Sequence, residues 1–320
     1  MAGVRRPFFS VVIPVYNRAG EIGPTLRSVL SQTFQDFEIV VVDDGSVDGS
    51  CHAVEALHDP RILLIRQKNS GPQAARNAGI DAARGRYLAF LDSDDLFVEQ
   101  KLSRVHDVAQ SDGVDVVYSG FLVDRGVGRF MIRPERPLRP GEDVGEYLFV
   151  HGGRIQTSGM VVRTEMARRV RFSPGLRRGQ DYDFALRLHR AGARAHFINE
   201  PLFVWNDKTR KNRVSLGPLR HHMEEWLANN AGLMTDRARL GYRASVLSYE
   251  RGASRPLTAA ADIVKGVVLA GIRPSTAGRL ALRAYLPAPV YRGLITGFVA
   301  LFGRPPQTYG GGHEGTGLSP

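Results

Sequence analysis

The chain has a single cysteine, Cys51, among 320 residues. That excludes an internal disulfide framework and an all-cysteine metal site, and it makes a reducing, cytoplasmic setting the expectation. Long apolar runs are missing as well. The run that follows the first ten residues breaks at Ile13-Pro14-Val15-Tyr16-Asn17, too soon for the core of a signal peptide. The longest apolar stretch, Gly293 to Gly303, falls short of the roughly 20 residues that a spanning helix requires. Glycine-rich phosphate cradles are absent: no GxGxxG follows the first candidate strand, and no GxxxxGK precedes a Ser or Thr. A Rossmann dinucleotide site and a P-loop therefore both lack their anion cradle. Basic charge is scarce in the first third. Residues 1 to 110 hold 12 Lys/Arg against 14 Asp/Glu, while the remainder holds 31 against 18, so the excess of +11 belongs to the later two thirds. Such asymmetry suits an anionic partner, nucleic acid or an anionic membrane surface, and equally suits a merely soluble basic surface.

With 43% apolar and 23% charged residues, the chain can build a sizeable core. Short β-branched or apolar runs at Phe9 to Val15, Glu38 to Asp43, Arg61 to Arg66, Arg86 to Asp92 and Asp115 to Ser119 read as strands. Between them lie helical stripes such as Ile22, Leu26, Val29, Leu30 and Val98, Leu102, Val105, Val108. This βαβ repetition predicts an α/β fold, a mostly parallel Rossmann-like sheet with helices on both faces. Ligands of such sheets bind beyond the carboxyl ends of the strands.

Those ends carry Pro14-Val15-Tyr16-Asn17, Asp43-Asp44-Gly45-Ser46 and Asp92-Ser93-Asp94-Asp95. Asp and Ser are good turn and cap formers after strands, yet five carboxylates at one edge repel one another and any anionic ligand. A divalent cation that takes one or two carboxylates and completes its coordination with phosphate oxygens resolves the conflict. The expectation is a nucleoside diphosphate site. A small-residue helix from Gln73 to Ala83 would bring Arg76 and Asn77 towards the phosphates.

Four blocks resemble the inverting family 2 glycosyltransferases of the GT-A fold: SVVIPVYNRAGEIGPTLRSVLSQTF at 10 to 34, FEIVVVDDGSVDGS at 37 to 50, GPQAARNAGIDAARGRYLAFLDSDD at 71 to 95, and GLRRGQDYDFALRLHRAG at 175 to 192. The resemblance implies sugar transfer from a nucleotide-sugar donor, UDP-linked by expectation, to a saccharide or lipid-linked acceptor of the bacterial surface-polysaccharide kind, with Mg²⁺ or Mn²⁺ and without nucleic acid. It implies base and ribose contacts at Pro14, Tyr16 and Asp44, with Asn17 beside them. Asp92, Ser93 and Asp94 match the DxD motif, with Asp94 on the metal and Asp95 orienting the ion from behind. Asp181 matches the catalytic base. Gln180 departs from the pattern, since the base is usually preceded by glutamate; an uncharged neighbour lowers the pKa of Asp181 relative to a paired site and alters the acceptor contact. Processive relatives carry QxxRW and spanning helices, so a single-addition enzyme is expected. Lys208, Arg210 and Arg213 stand where other members place a diphosphate contact.

The resulting division is 1–215 catalytic, with a nucleotide-sugar half at 1–115 and an acceptor half at 116–215, then a helical extension at 216–303 and a flexible tail at 304–320. Gln156 to Gly159 are expected to meet the acceptor sugar. His221 and His222 face different ways on a helix and read as surface residues. Arginines 273, 279, 283 and 292 border apolar residues such as Leu282, Leu294, Phe298 and Leu301, a pattern suited to peripheral contact of 272–303 with the inner face of an anionic membrane. Two rivals stay open at this point. A sugar nucleotidyltransferase would also use paired aspartates, but with a glycine-rich basic loop where this chain has Tyr16-Asn17-Arg18-Ala19-Gly20. A non-catalytic carbohydrate- or nucleic-acid-binding protein would leave Asp94 and Asp181 without a task.

Overall fold

The computed structural model describes residues 6–111, 113–176, 178–208 and 222–305. Four parallel strands form one half of a nine-stranded mixed sheet: β1 (Phe9–Val15), β2 (Phe37–Asp43), β3 (Ile62–Arg66) and β4 (Tyr87–Phe90), ordered β3-β2-β1-β4. Helices α1 (Ile22–Leu30), α2 (Ser50–Glu55) and α3 (Pro72–Ala82) connect them. The other half comprises β5 (Leu96–Phe97), β6 (Val116–Asp124), β7 (Phe130–Arg133), β8 (Met160–Arg163) and β9 (Ala195–Asn206). Around it lie α4 (Lys101–Ala109), α5 (Val144–Phe149), α6 (Thr164–Val170) and α7 (Gln180–Arg190). From β4 the order continues β8-β6-β9-β5, with β7 beside β6. Strand β8 is antiparallel to β4 and β6, whereas β9 returns parallel to β6. All five expected strands form; the fifth runs on to Asp124, and β5, β7, β8 and β9 are additional.

The period-two rule places the cores. Along β1 every residue is buried, Val12 packing on one face with Leu88 and Phe90, and Val11 and Ile13 on the other with Ile39 and Val41. The stripe Ile22, Leu26, Val29 seats α1 on the second face. Close approach of α3 to the sheet depends on Gly79, where a Cβ would lie 2.4 Å from Cγ1 of Val12.

The C-terminal extension contains α8 (His222–Asn230), α9 (Asp236–Tyr242), α10 (Ser248–Arg251), α11 (Pro256–Ala270), α12 (Pro274–Tyr285) and α13 (Ala288–Phe302). It is welded to the catalytic part: Met223, Trp226 and Tyr242 share a core with Phe184 of α7, and Trp226 Nε1 donates to Asp183 Oδ1 at 3.0 Å. Arg243 and Arg251 converge on the buried Asp262 and tie α11 to the preceding helices. The expected boundary near 215 lies outside the described residues, as do His221 and the segment from 306. Arg304, expected to open a flexible tail, instead exchanges two backbone hydrogen bonds with Phe130.

Candidate active site

A cavity of about 640 Å³ opens at the carboxyl ends of β1, β2 and β4. Its walls are loops that the parallel strands must emit on the same side. Pro14, Tyr16 and Arg18 come from the end of β1, Asp44 from β2, and Ser70 to Gln73 from the turn into α3. Asp92, Ser93 and Asp94 follow β4; Gln180 and Asp181 open α7; Trp205 closes the rim from β9. Tyr16 keeps 47% of its surface exposed, a flat face left available to a ligand.

The expected carboxylates divide by environment. Asp44 is buried and accepts from Gln67 Nε2 at 2.7 Å, Ser70 N at 2.9 Å and Gly71 N at 2.8 Å, so it also fixes the loop that forms the cavity wall. Asp43, counted from the sequence among the converging five, does not line the cavity; it is buried and accepts from Ser46 N at 3.2 Å. Asp95 lies behind the wall, accepting from Ser158 Oγ at 2.6 Å and Asn206 N at 3.0 Å. Burial, together with the charges of Asp92 and Asp94, pushes its pKa well above the usual carboxylate range. Asn17 adopts φ 52° and binds across to the β2 loop, its Oδ1 accepting from Val47 N and its own N–H donating to Ser46 Oγ. It braces the rim rather than lining the cavity.

Arg76 is the central cation. Its guanidinium is buried at the start of α3, donating to Asp92 Oδ1 at 2.5 Å and to Gln180 Oε1 at 2.7 Å. The Gln180 amide in turn donates to the carbonyl of Leu176 at 3.2 Å, which a glutamate cannot do. The unusual glutamine is thus matched to its site, accepting on one side and donating on the other.

Asp181 sits in the first turn of α7, whose entry through Gly179 requires glycine: φ is 75°, and a Cβ would fall on the ring of Tyr182. Its Oδ1 accepts from Thr157 Oγ1. Burial raises its pKa to about 6, with the charge of Asp92 adding to the effect and the Thr157 hydroxyl and Arg76 opposing it. Asp183, two residues on, is buried away from the cavity between Arg187, Ser173 and Trp226, so it cannot take over the role.

Thr157 and Ser158, read from the sequence as sugar contacts, are buried and hold carboxylates instead. Thr157 binds Asp181, while Ser158 donates to Asp95 and accepts from Asp92 N at 3.1 Å. Two adjacent hydroxyls before a strand were visible in the sequence, but their targets were not. Lys208 pairs with Asp124 at 2.8 Å and does not line the cavity. Arg210 and Arg213 lie outside the described residues.

Among the described residues no cluster of three or more His, Cys, Asp or Glu is arranged to hold an ion unaided. Asp92 and Asp94 supply hard carboxylate oxygens on the cavity wall. That set fits a hard cation whose coordination a diphosphate completes.

The profile of Glycosyl transferase family 2 matches residues 10–173. The chain belongs to this family. It is a glycosyltransferase, and the nucleotidyltransferase and non-catalytic readings fall away. The amylovoran biosynthesis glycosyltransferase AmsB of Erwinia amylovora is 33% identical over 230 residues, covering 68% of this chain and 76% of AmsB. WfaP of Escherichia coli, named UDP-Glc:alpha-D-GlcNAc-diphosphoundecaprenol beta-1,3-glucosyltransferase, is 35% identical over 130 residues, 39% of this chain and 52% of WfaP. Among solved structures, S. aureus TarS 1-349 in complex with UDP-GlcNAc superposes with a TM-score of 0.63 at 18% identity, covering 90% of this chain and 92% of that one. Mannosyltransferase PcManGT from Pyrobaculum calidifontis, in complex with GDP-Man and Mn²⁺, gives 0.57 at 21% identity, covering 93% and 86%. These two likenesses establish the GT-A type of fold.

Proposed function

We propose that this family 2 enzyme transfers a sugar from a UDP-linked donor to a hydroxyl of a saccharide or lipid-linked acceptor in bacterial polysaccharide synthesis, with inversion at the anomeric carbon. The observation that carries the reading is the pairing, in one cavity, of a diphosphate-side cluster at Asp92 to Asp94 with a separate carboxylate, Asp181, whose pKa lies near 6. The donor base stacks beside Tyr16 and Pro14, and the loop fixed by Asp44 closes around its ribose. Asp92 and Asp94 would hold Mg²⁺ or Mn²⁺, which supplies Lewis-acid stabilisation of the departing diphosphate. Asp181 takes the proton of the acceptor hydroxyl as its oxygen forms the new bond to the anomeric carbon from the face opposite the diphosphate. The bond from that carbon to the phosphate oxygen breaks, and nucleoside diphosphate leaves.

The names of AmsB and WfaP support the polysaccharide setting and a lipid-linked acceptor. Val290, Leu294, Phe298, Leu301 and Phe302 leave α13 with a broad exposed apolar surface, and residues 272–303 carry Arg273, Arg279, Arg283 and Arg292 with no Asp or Glu. We assign that surface to peripheral contact with an anionic membrane. Among the described residues no helix is long and apolar enough to cross one. The test of the function is a panel of nucleotide sugars with and without Mg²⁺ or Mn²⁺, read as released nucleoside diphosphate. Cation-dependent release from a UDP-sugar, lost in Asp94→Ala, is the expected result; release equal across GDP- and UDP-sugars, or untouched by chelator, contradicts it.

A further inference from the structure

A second concentration of charge stands outside the cavity, where β7 and the loop before β8 meet α12 and α13. Arg133 ends β7, and Arg279 and Arg283 project from α12. Arg154 precedes by three residues the Thr157 that holds Asp181. One acidic side chain, Glu135, is placed between two of these arginines, 2.6 Å from Arg279 and 3.8 Å from Arg133. Arg283 lies over the ring of Tyr249 at 4.5 Å. The Arg154 guanidinium has no hydrogen-bond or ion-pair partner among the described residues, yet it lies within electrostatic reach of Arg133, Arg279, Arg283 and the Tyr291 phenol. Its side chain meets water, but crowding by protein and by those like charges pulls its pKa down to about 10. Gly152 approaches Thr276 of α12, which brings the Arg154 loop against the same helix.

The four guanidinium groups repel one another, and the one carboxylate among them, Glu135, pairs with only two. Nothing among the described residues relieves Arg154, and the arrangement suits a ligand of two or more negative charges with several acceptor oxygens. A phosphate or diphosphate ester has both. Three residues of extended chain span at most about 10 Å, so the backbone at Arg154 lies within that distance of Thr157, which binds Asp181. We propose that Arg133, Arg154, Arg279 and Arg283 form a binding site for the phosphate or diphosphate group of the acceptor. This deepens the acceptor assignment and rests on the sugar-transfer reading. The site would anchor the acceptor by its charged end and leave its sugar to reach the base.

The probe is inorganic pyrophosphate, titrated calorimetrically into the full chain with no divalent cation, the condition under which the aspartate-lined cavity disfavours a diphosphate. Wild-type protein is expected to show one saturable site, weakened by roughly tenfold for each arginine lost in Arg154→Gln and Arg283→Gln. Hydrolysis of the UDP-sugar by water should stay unchanged in both variants, since neither residue lines the cavity. Vesicles of phosphatidylcholine with and without a polyprenyl diphosphate distinguish the sources. Capture that pyrophosphate competes away assigns a lipid-borne diphosphate to the site, while pyrophosphate binding without vesicle capture assigns a soluble ester; either supports the site. No saturable binding, or equal affinity in wild type and variants with preserved melting behaviour, overturns it. If no nucleotide sugar is hydrolysed while arginine-dependent pyrophosphate binding persists, the sugar-transfer reading fails and the anion site stands.

Discussion

Asp92 and Asp181 are two carboxylates of one cavity with different neighbours, and the difference assigns their roles. Asp92 has the buried guanidinium of Arg76 at 2.5 Å, whereas Asp181 has the neutral hydroxyl of Thr157. Burial and the nearby Asp92 charge then fall on Asp181, and its pKa moves from 3.8 to about 6. A base poised there is mostly ionised at neutral pH yet still basic enough to accept a proton in the transition state. Accordingly kcat/KM should fall about tenfold per pH unit below about 6 and level off above it. A profile flat through that value would remove Asp181 from the role. The same shift has a thermodynamic sign. An acid whose folded pKa is raised costs stability as pH rises from 3.8 towards about 6, and the full cost persists above. Asp181→Asn should therefore unfold at a higher temperature near neutral pH, by on the order of 1–2 kcal/mol, with the advantage shrinking in acid. Thermal melts at two pH values read this directly, and a variant less stable at neutral pH would contradict the assigned environment.

At the scale of elements, the site is assembled by contacts between distant parts of the chain. Helix α3 brings Arg76 to the cavity only because Gly79 lets it lie against β1. Gly79→Ala should destabilise the protein by about 1–3 kcal/mol through overpacking at Val12, and should weaken UDP binding as Arg76 shifts. Chemical denaturation paired with UDP titration checks both effects; wild-type stability would mean that the helix can move without cost. The parallel half was legible in the sequence because each of its strands is a short β-branched or apolar run between helical stripes. The two-residue β5 offers no period to read, and β7 is half-buried along its whole length. The clamp at Thr157 and Ser158 was hidden for another reason: its partners Asp181 and Asp95 are 24 and 63 residues away. Gln180 looked like a loss of charge in sequence, and its pairing with Arg76 across 104 residues gives it a positive task.

The whole molecule divides its labour by charge. On the proposed function, the near-neutral first third builds the donor side of the cavity with its aspartates, and the basic remainder supplies the acceptor side, the arginine cluster and the exposed face of α13. The C-terminal helices also brace the cavity, since Trp226 and Tyr242 pack on Tyr182 of the helix that presents Asp181. Donor binding and proton removal therefore depend on different residues of one cavity and should be separable. The most direct test is Asp181→Asn, measured for UDP affinity by calorimetry and for turnover with the donor sugar. The variant keeps the acceptor atom for the Thr157 hydroxyl but cannot take a proton, so UDP affinity should stay near wild type while turnover falls by roughly 10²–10⁴. Turnover close to wild type in a variant that binds UDP normally would contradict Asp181 as the base and, with it, the assignment of this cavity's chemistry.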